Sequence, residues 1–327
     1  MSAVRVVLAA ALLPGCAYTL GRADVQYAAD LAVLPLVQPS TDTRRWYVPL
    51  HSDTAGDYLL FVDTGYTYTT CDDDFVAALG LTTRGRGSVR GELGKLPTSK
   101  AKLPTLQLGE HLVSGLTCQV RDLGATSSID DPDEVPVAGV LGMDVLRRFV
   151  VTFDPADGTM ALQPPSDGAL PDAGEGVVVL KREFLFGNRS VLPLHLDGRV
   201  VWPVVDTGAT DTYVDGERLG LEPSEVQANA TLRGSGGTGS SVRTLVHYDI
   251  ADVRLGEVAI GAVELTDRRR SGGVDGLLGL DVLGAVLAEY DWANGRARFV
   301  PVQARELPSW TSWRDAGQPA ARLHAPP

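Results

Sequence analysis

The sequence predicts an all-β protein, mainly strands with short helices, built from two copies of one unit. Three observations carry this. The 327 residues are too many for one ordinary domain and suit two. The 36 glycines and 20 prolines favour a turn-rich β chain over a helix bundle. The tripeptide Asp-Thr-Gly occurs twice, at 63–65 and 206–208, each time after a strand-forming run, 59–62 and 200–205.

In chain order, Arg5 is followed by an apolar run, 6–13, and then by Pro14-Gly15-Cys16. This is the layout of a secretory signal over residues 1–15. The run is too short to span a bilayer, and no later stretch is long enough either. Leu13-Pro14-Gly15-Cys16 resembles the lipobox of bacterial lipoproteins. The resemblance implies that Cys16 becomes a lipidated first residue and anchors an exported protein to the bacterial cell envelope. An ordinary secretory signal is the other reading. Residues 16–29 then read as a tether.

The first unit spans 30–165 and the second 174–303, with a Pro-, Gly- and Asp-rich linker at 166–173. The repeat is wide. Ala32-Val33-Leu34 matches Val178-Val179-Leu180, and Tyr47-Val48-Pro49-Leu50-His51 matches Val191-Leu192-Pro193-Leu194-His195. After each Asp-Thr-Gly a strand is expected, at 67–71 and 210–214, and then a short helix ended by Gly80 or Gly220. Gly139-Val140-Leu141-Gly142-Met143-Asp144 recurs as Gly276-Leu277-Leu278-Gly279-Leu280-Asp281. Asp144 and Asp281 fall where each would cap a following helix. Phe153-Asp154 and Tyr290-Asp291 close the pattern in the same register. Residues 304–327 lack periodicity and read as a tail, either disordered or docked on a lobe through Trp310 and Trp313.

Each Asp thus ends a strand at a tight glycine turn, where it can reach a cleft. Two carboxylates brought together repel, and sharing one proton relieves this, leaving one acid and one base. Such a pair activates a water with no metal, cofactor or covalent nucleophile. Asp63 and Asp206 are therefore the candidate catalytic residues.

The paired Asp-Thr-Gly and hydrophobic-hydrophobic-Gly motifs resemble those of the pepsin–retropepsin superfamily of aspartic proteases. The resemblance implies a bilobal acid-protease-like fold: two β-barrel lobes related by a pseudo-twofold axis, with a cleft between. It also implies that Thr64 and Thr207 lock the loops together across the axis. Gly65 and Gly208 present backbone to the carboxylates. Tyr66 and Ala209 follow the loops and are substrate-binding candidates, although Tyr66 is bulky where the family carries Ser or Ala. Gly87 in lobe 1 and Gly236 and Gly237 in lobe 2 lie in Gly-rich stretches that take the place of the flap. The expected substrate is a polypeptide, and one chain carrying both Asp residues needs no dimer. A lapsed protease that binds peptide or a partner protein without cutting is the alternative, and Tyr66 is the feature that favours it.

Other chemistries find less support. A formal charge of −12 argues against a nucleic-acid partner. The Gly-rich stretch of lobe 2 matches G-x-G-x-x-G but precedes a strand-like alternation rather than a helix, so a dinucleotide site is rejected. His51 and His195 repeat because the unit repeats, and no metal-ligand spacing accompanies them. Cys71 and Cys118 allow a disulfide or two separate buried thiols equally. Asp130, Asp131, Asp133 and Glu134 in lobe 1 and Arg268, Arg269 and Arg270 in lobe 2 hold matching places before the hydrophobic-hydrophobic-Gly motifs. The resemblance implies that these loops line opposite ends of the cleft, which would then differ in charge, and two solvated loops are the other reading.

Overall fold

Both faces of the central strands are covered, which explains their unbroken apolar runs. In Gly56–Val62, Leu60 and Val62 enter the main core while Leu59 and Phe61 enter a second cluster on the opposite face. The computed structural model describes residues 20–325 except 40–43, 91–94, 124–135, 167–168, 172–173, 183–188, 221–229, 235–236, 251–252, 264–273 and 318–319. The signal-peptide residues, Cys16, Gly236 and both charged loops lie outside the described residues.

Strands dominate and the helices are short, as the composition predicts. Lobe 1 is an 11-stranded curled sheet and lobe 2 a 10-stranded one. Each catalytic strand pairs in parallel with the strand that leads into its hydrophobic-hydrophobic-Gly motif. Gly56–Val62 pairs with Val137–Leu141, and Pro203–Val205 pairs with Gly276–Leu278. The expected short helices form as Asp73–Ala78, capped by Asp72, and Gly216–Leu219, capped by Asp215 and ended by Gly220.

A six-stranded sheet joins the lobes, with three strands from each. Its central pair is Val150–Asp154 against Val286–Asp291, antiparallel, with Thr152 opposite Glu289. Thr152 and Glu289 each stand two residues before an equivalent Asp of the repeat, Asp154 and Asp291. Equivalent residues that face each other across an antiparallel pair mark the pseudo-twofold axis.

Two sequence expectations need correction, and of the two readings for the tail the docked one holds. Trp310–Asp315 is a helix and Ala321–Leu323 is a strand inserted between Tyr47–Ser52 and Leu106–Leu108 of lobe 1. Trp310 and Trp313 are buried, and truncating either to Ala is worth about 3–5 kcal/mol. Part of the tether is also structural, because Asp24–Gln26 pairs with His111–Ser114. Lastly, Asp144 and Asp281 are not caps. Gly142 and Gly279 hold the cap positions, and the two carboxylates turn toward the catalytic loops. Among the described residues no helix is long and apolar enough to cross a membrane.

Of the two readings for the cysteines, the bonded one holds. Cys71 and Cys118 form a disulfide, with Cα atoms 5.9 Å apart and a sequence separation of 47. It ties the strand after the first catalytic loop to the strand beside the flap. A loop of that length is worth about 2–4 kcal/mol against the unfolded chain. We expect Cys71→Ala with Cys118→Ala to lower the unfolding free energy by that amount in denaturant. Reductant should destabilise the parent protein and leave the double variant unchanged.

Candidate active site

Each catalytic loop is fastened first to its own lobe. The Asp63 N–H donates to Leu141 O at 3.2 Å and the Asp206 N–H to Leu278 O at 3.0 Å. Past the glycines, Tyr66 O accepts from Met143 N at 2.8 Å and Ala209 O accepts from Leu280 N at 2.9 Å. The hydrophobic-hydrophobic-Gly motif thus holds both ends of the loop that presents the Asp.

The misread acids complete this clamp. Asp144 Oδ1 accepts from the Thr69 N–H at 2.8 Å and from its hydroxyl at 2.7 Å. Asp281 accepts from the Thr212 N–H at 2.9 Å and from its hydroxyl at 2.6 Å. The same hydroxyls accept from the Gly142 and Gly279 N–H groups. Burial raises the pKa of Asp144 and of Asp281, and the threonine hydrogen bonds oppose the rise. A hint was present in the sequence: Asp144 and Asp281 recur in register, and so do Thr69 and Thr212.

The two loops then lock to each other. Thr64 donates its N–H to Thr207 Oγ1 at 3.1 Å and its hydroxyl to Val205 O at 2.8 Å. Thr207 returns both bonds, to Thr64 Oγ1 at 3.0 Å and to Val62 O at 2.8 Å. All four bonds are buried, so their geometry cannot relax into water.

This lock sets Asp63 and Asp206 against one another. Both residues are buried, at 4% and 6% exposure. Gly65 donates its N–H to Asp63 Oδ1 and Gly208 donates to Asp206 Oδ1. Each carboxyl also lies over the other loop's glycine. A Cβ on Gly65 would meet the Asp206 carboxyl carbon at 2.6 Å, and one on Gly208 would fall onto Asp63. Only glycine leaves room for this approach. Burial raises the Asp206 pKa, opposed by the Asp63 hydrogen bond and by the positive charge of Arg189. Two carboxyls packed this closely can share a proton, which lets one serve as acid and the other as base.

The chain is matched twice by the family model described as aspartyl protease, over residues 54–145 and 192–282, which is more than half its length. The chain belongs to the aspartyl protease family. Each match covers one lobe and includes one Asp-Thr-Gly and one hydrophobic-hydrophobic-Gly motif. No curated protein matches the chain.

The remaining site candidates fall as follows. The Tyr66 hydroxyl accepts a hydrogen bond from Arg121, whose guanidinium also lies over the ring, 5.3 Å from its centroid. The ring packs against the second apolar cluster of lobe 1. Gly87 lies opposite Thr98 in the hairpin of Arg84–Arg90 and Lys95–Lys102. Gly237 lies opposite Gly234 in the hairpin of Ala230–Gly234 and Gly237–Ile250. A hairpin therefore stands in each lobe where a flap was expected. Sequence reasoning missed Arg121 and Arg189. Arg189 had a signal, because it and Arg45 each precede the matched strand by two residues. Among the described residues, three potential metal ligands gather only at Asp72, Asp73 and Asp122. Both Asp72 oxygens are already occupied by the Asp74 and Leu123 N–H groups.

The threonine lock is testable apart from the carboxylates. Thr207→Val keeps the shape but strands the Thr64 N–H and Val62 O, at about 1–3 kcal/mol each. We expect a stability loss of about 2–6 kcal/mol and loss of activity, while Thr207→Ser, which keeps the hydroxyl, restores most of both. Thermal unfolding and a peptide-cleavage assay on the same preparations measure the two effects.

Proposed function

We propose that this protein is an aspartic endopeptidase, held at a bacterial envelope membrane by lipid on Cys16. The observation that carries the catalytic part is the buried dyad, in which each carboxyl packs over the opposite loop's glycine. Water bound between the two carboxyls would give a proton to one of them and attack the scissile carbonyl. The other carboxyl would donate to the carbonyl oxygen as it becomes negative. The bond to the leaving nitrogen then breaks as that nitrogen takes the proton now on one carboxyl, while a hydroxyl of the tetrahedral intermediate returns its proton to the other carboxylate, restoring the shared-proton state. The low exposure of the site strengthens these interactions by removing competing solvent.

Asp63→Asn and Asp206→Asn should each abolish cleavage of an unfolded protein substrate and leave the fold intact by circular dichroism. Near wild-type turnover by either variant rules out the paired mechanism. Retained peptide binding with no cleavage by the parent protein would favour the lapsed-protease alternative. Since one chain brings both carboxylates, specific activity should stay constant on dilution.

The raised Asp206 pKa gives a pH dependence. Cleavage needs one shared proton, so the rate falls at low pH when both carboxyls are protonated and again when pH climbs through the raised Asp206 value. The alkaline limb therefore lies above the ordinary carboxylate range of about 4. Stability follows the same sign. The Asp206 contribution is fully present below its unfolded pKa and is lost as pH rises through its folded one. Measured against pH, kcat/KM should trace this bell, and melting temperatures should fall less steeply with rising pH in Asp206→Asn than in the parent.

The anchor has its own test. Cys16→Ser should move the protein from the membrane fraction to the soluble one, because the acyl chains go with the cysteine. Unchanged membrane association would remove lipidation from the proposal.

A further inference from the structure

Side chains alternate along a strand, so Leu59, Phe61 and Asp63 share one face. That face of lobe 1 also holds Tyr47, Val140 and Leu123, and Tyr66 packs against it. The carboxyl of Asp63 is therefore bordered by an apolar floor. The repeat places the matching floor of lobe 2 on Val191, Val204 and Val274, with Trp202 and Leu277 packed against them. Val204 precedes Asp206 by two residues, as Phe61 precedes Asp63.

The two floors differ in what covers them. On lobe 1 lie the indoles of Trp310 and Trp313, stacked with ring centroids 5.4 Å apart. Beneath them Leu59, Phe61 and Val140 are at most 3% exposed. On lobe 2, Val204 is buried but Trp202 and Leu277 stay half-buried. What lies over the Trp202 ring is the Lys181 ammonium, 3.7 Å from its centroid, and among the described residues no helix packs in that cluster.

The tryptophan-bearing helix is fixed at both ends. Before it, Gln38 N donates to Pro308 O at 3.0 Å and Trp310 N donates to Gln38 O at 2.8 Å. The Ser309 side chain caps it by accepting from Ser312 N. After it, Ala321–Leu323 is built into the lobe 1 sheet, and Arg322 pairs with Asp53 at 2.7 Å. The indoles are thus a permanent part of the lobe 1 wall.

We propose that Trp310 and Trp313 fill the apolar subsite beside Asp63 and make the cleft one-sided in its specificity. An extended peptide crossing the dyad points the residues flanking the scissile bond to opposite faces, one toward each floor. The floor beside Asp63 is filled, so that side admits Gly, Ala or Ser. The floor of Val204, Trp202 and Leu277 beside Asp206 takes the large apolar residue. This rests on the endopeptidase reading above and adds the substrate class to it. A filled pocket rejects by clash, and pocket fit at the scale of one methylene already changes discrimination by about 10–200-fold.

Peptides carrying a non-cleavable hydroxyethylene isostere at the scissile position, with Ala or Phe on either flank, separate the two floors by calorimetry. The parent protein should prefer Ala over Phe on one flank and Phe over Ala on the other, each by about tenfold or more. Trp313→Ala should erase the Ala preference on the first flank and leave the second unchanged. Trp313→Phe, a milder change that keeps a ring in place, should give a smaller shift of the same sign. Leu277→Trp should weaken Phe on the second flank only. The proposal is overturned if the Trp313 variants keep the parent's preferences, if Trp313 and Leu277 changes act on the same flank, or if none of the peptides binds. The cleavable counterparts report separately. Their survival in the presence of the parent protein removes the endopeptidase reading, while the isostere affinities still decide where the indoles lie relative to a bound peptide.

Discussion

Everything at the centre depends on two carboxylates being held closer together than charge alone permits. The reciprocal Thr64–Thr207 bonds supply the restraint, and they run between backbone and hydroxyl rather than between charges. Each Asp can therefore be neutralised or ionised without loosening its own support. The Asp144–Thr69 and Asp281–Thr212 pairs repeat the device one layer out, where they brace the loops against the lobe cores. Each layer relies on the pseudo-twofold axis that passes between Thr152 and Glu289 in the shared sheet.

The parts of this arrangement visible in the sequence were those written twice. The Asp-Thr-Gly loops, the hydrophobic-hydrophobic-Gly motifs and the two short capped helices were legible because one physical solution recurs in matching order. Asp144 and Asp281 were recognised as important positions but assigned the wrong partner. An Asp at the start of a helix has two outlets, the helix N–H groups or a neighbouring loop, and local sequence does not choose between them. Features written once were harder to read. Asp24–Gln26 is a three-residue strand whose pairing is decided by the edge it meets, not by its own alternation. The Trp310–Asp315 helix is too short to show a period, and it is held by burial of two indoles on a remote surface. Pro308-Ser309 followed by tryptophans three apart was the available signal.

The asymmetry of the molecule is concentrated in lobe 1. That lobe alone carries the Cys71–Cys118 bond among the described residues, and it receives the strand Ala321–Leu323. It also holds Tyr66 against Arg121 where lobe 2 has the small Ala209. The repeat makes two like halves, and the elements outside it distinguish them around the Asp63–Asp206 pair. The bulk of Tyr66 has a place in this arrangement: its ring is taken up by the cluster that the tryptophan helix covers.

The strand Ala321–Leu323 has a further consequence for how the protein comes into being. It pairs with residues 50–52, so lobe 1 is finished by residues that follow lobe 2 in the chain. Contacts of such long range are slow to form and leave strand edges open meanwhile. A chain interrupted during synthesis would hold an unfilled slot between Tyr47–Ser52 and Leu106–Leu108, one strand away from Gly56–Val62, which leads to Asp63. Completion of the lobe that carries Asp63 is thereby tied to arrival of the chain beyond lobe 2, and the order of synthesis sets when that lobe can close.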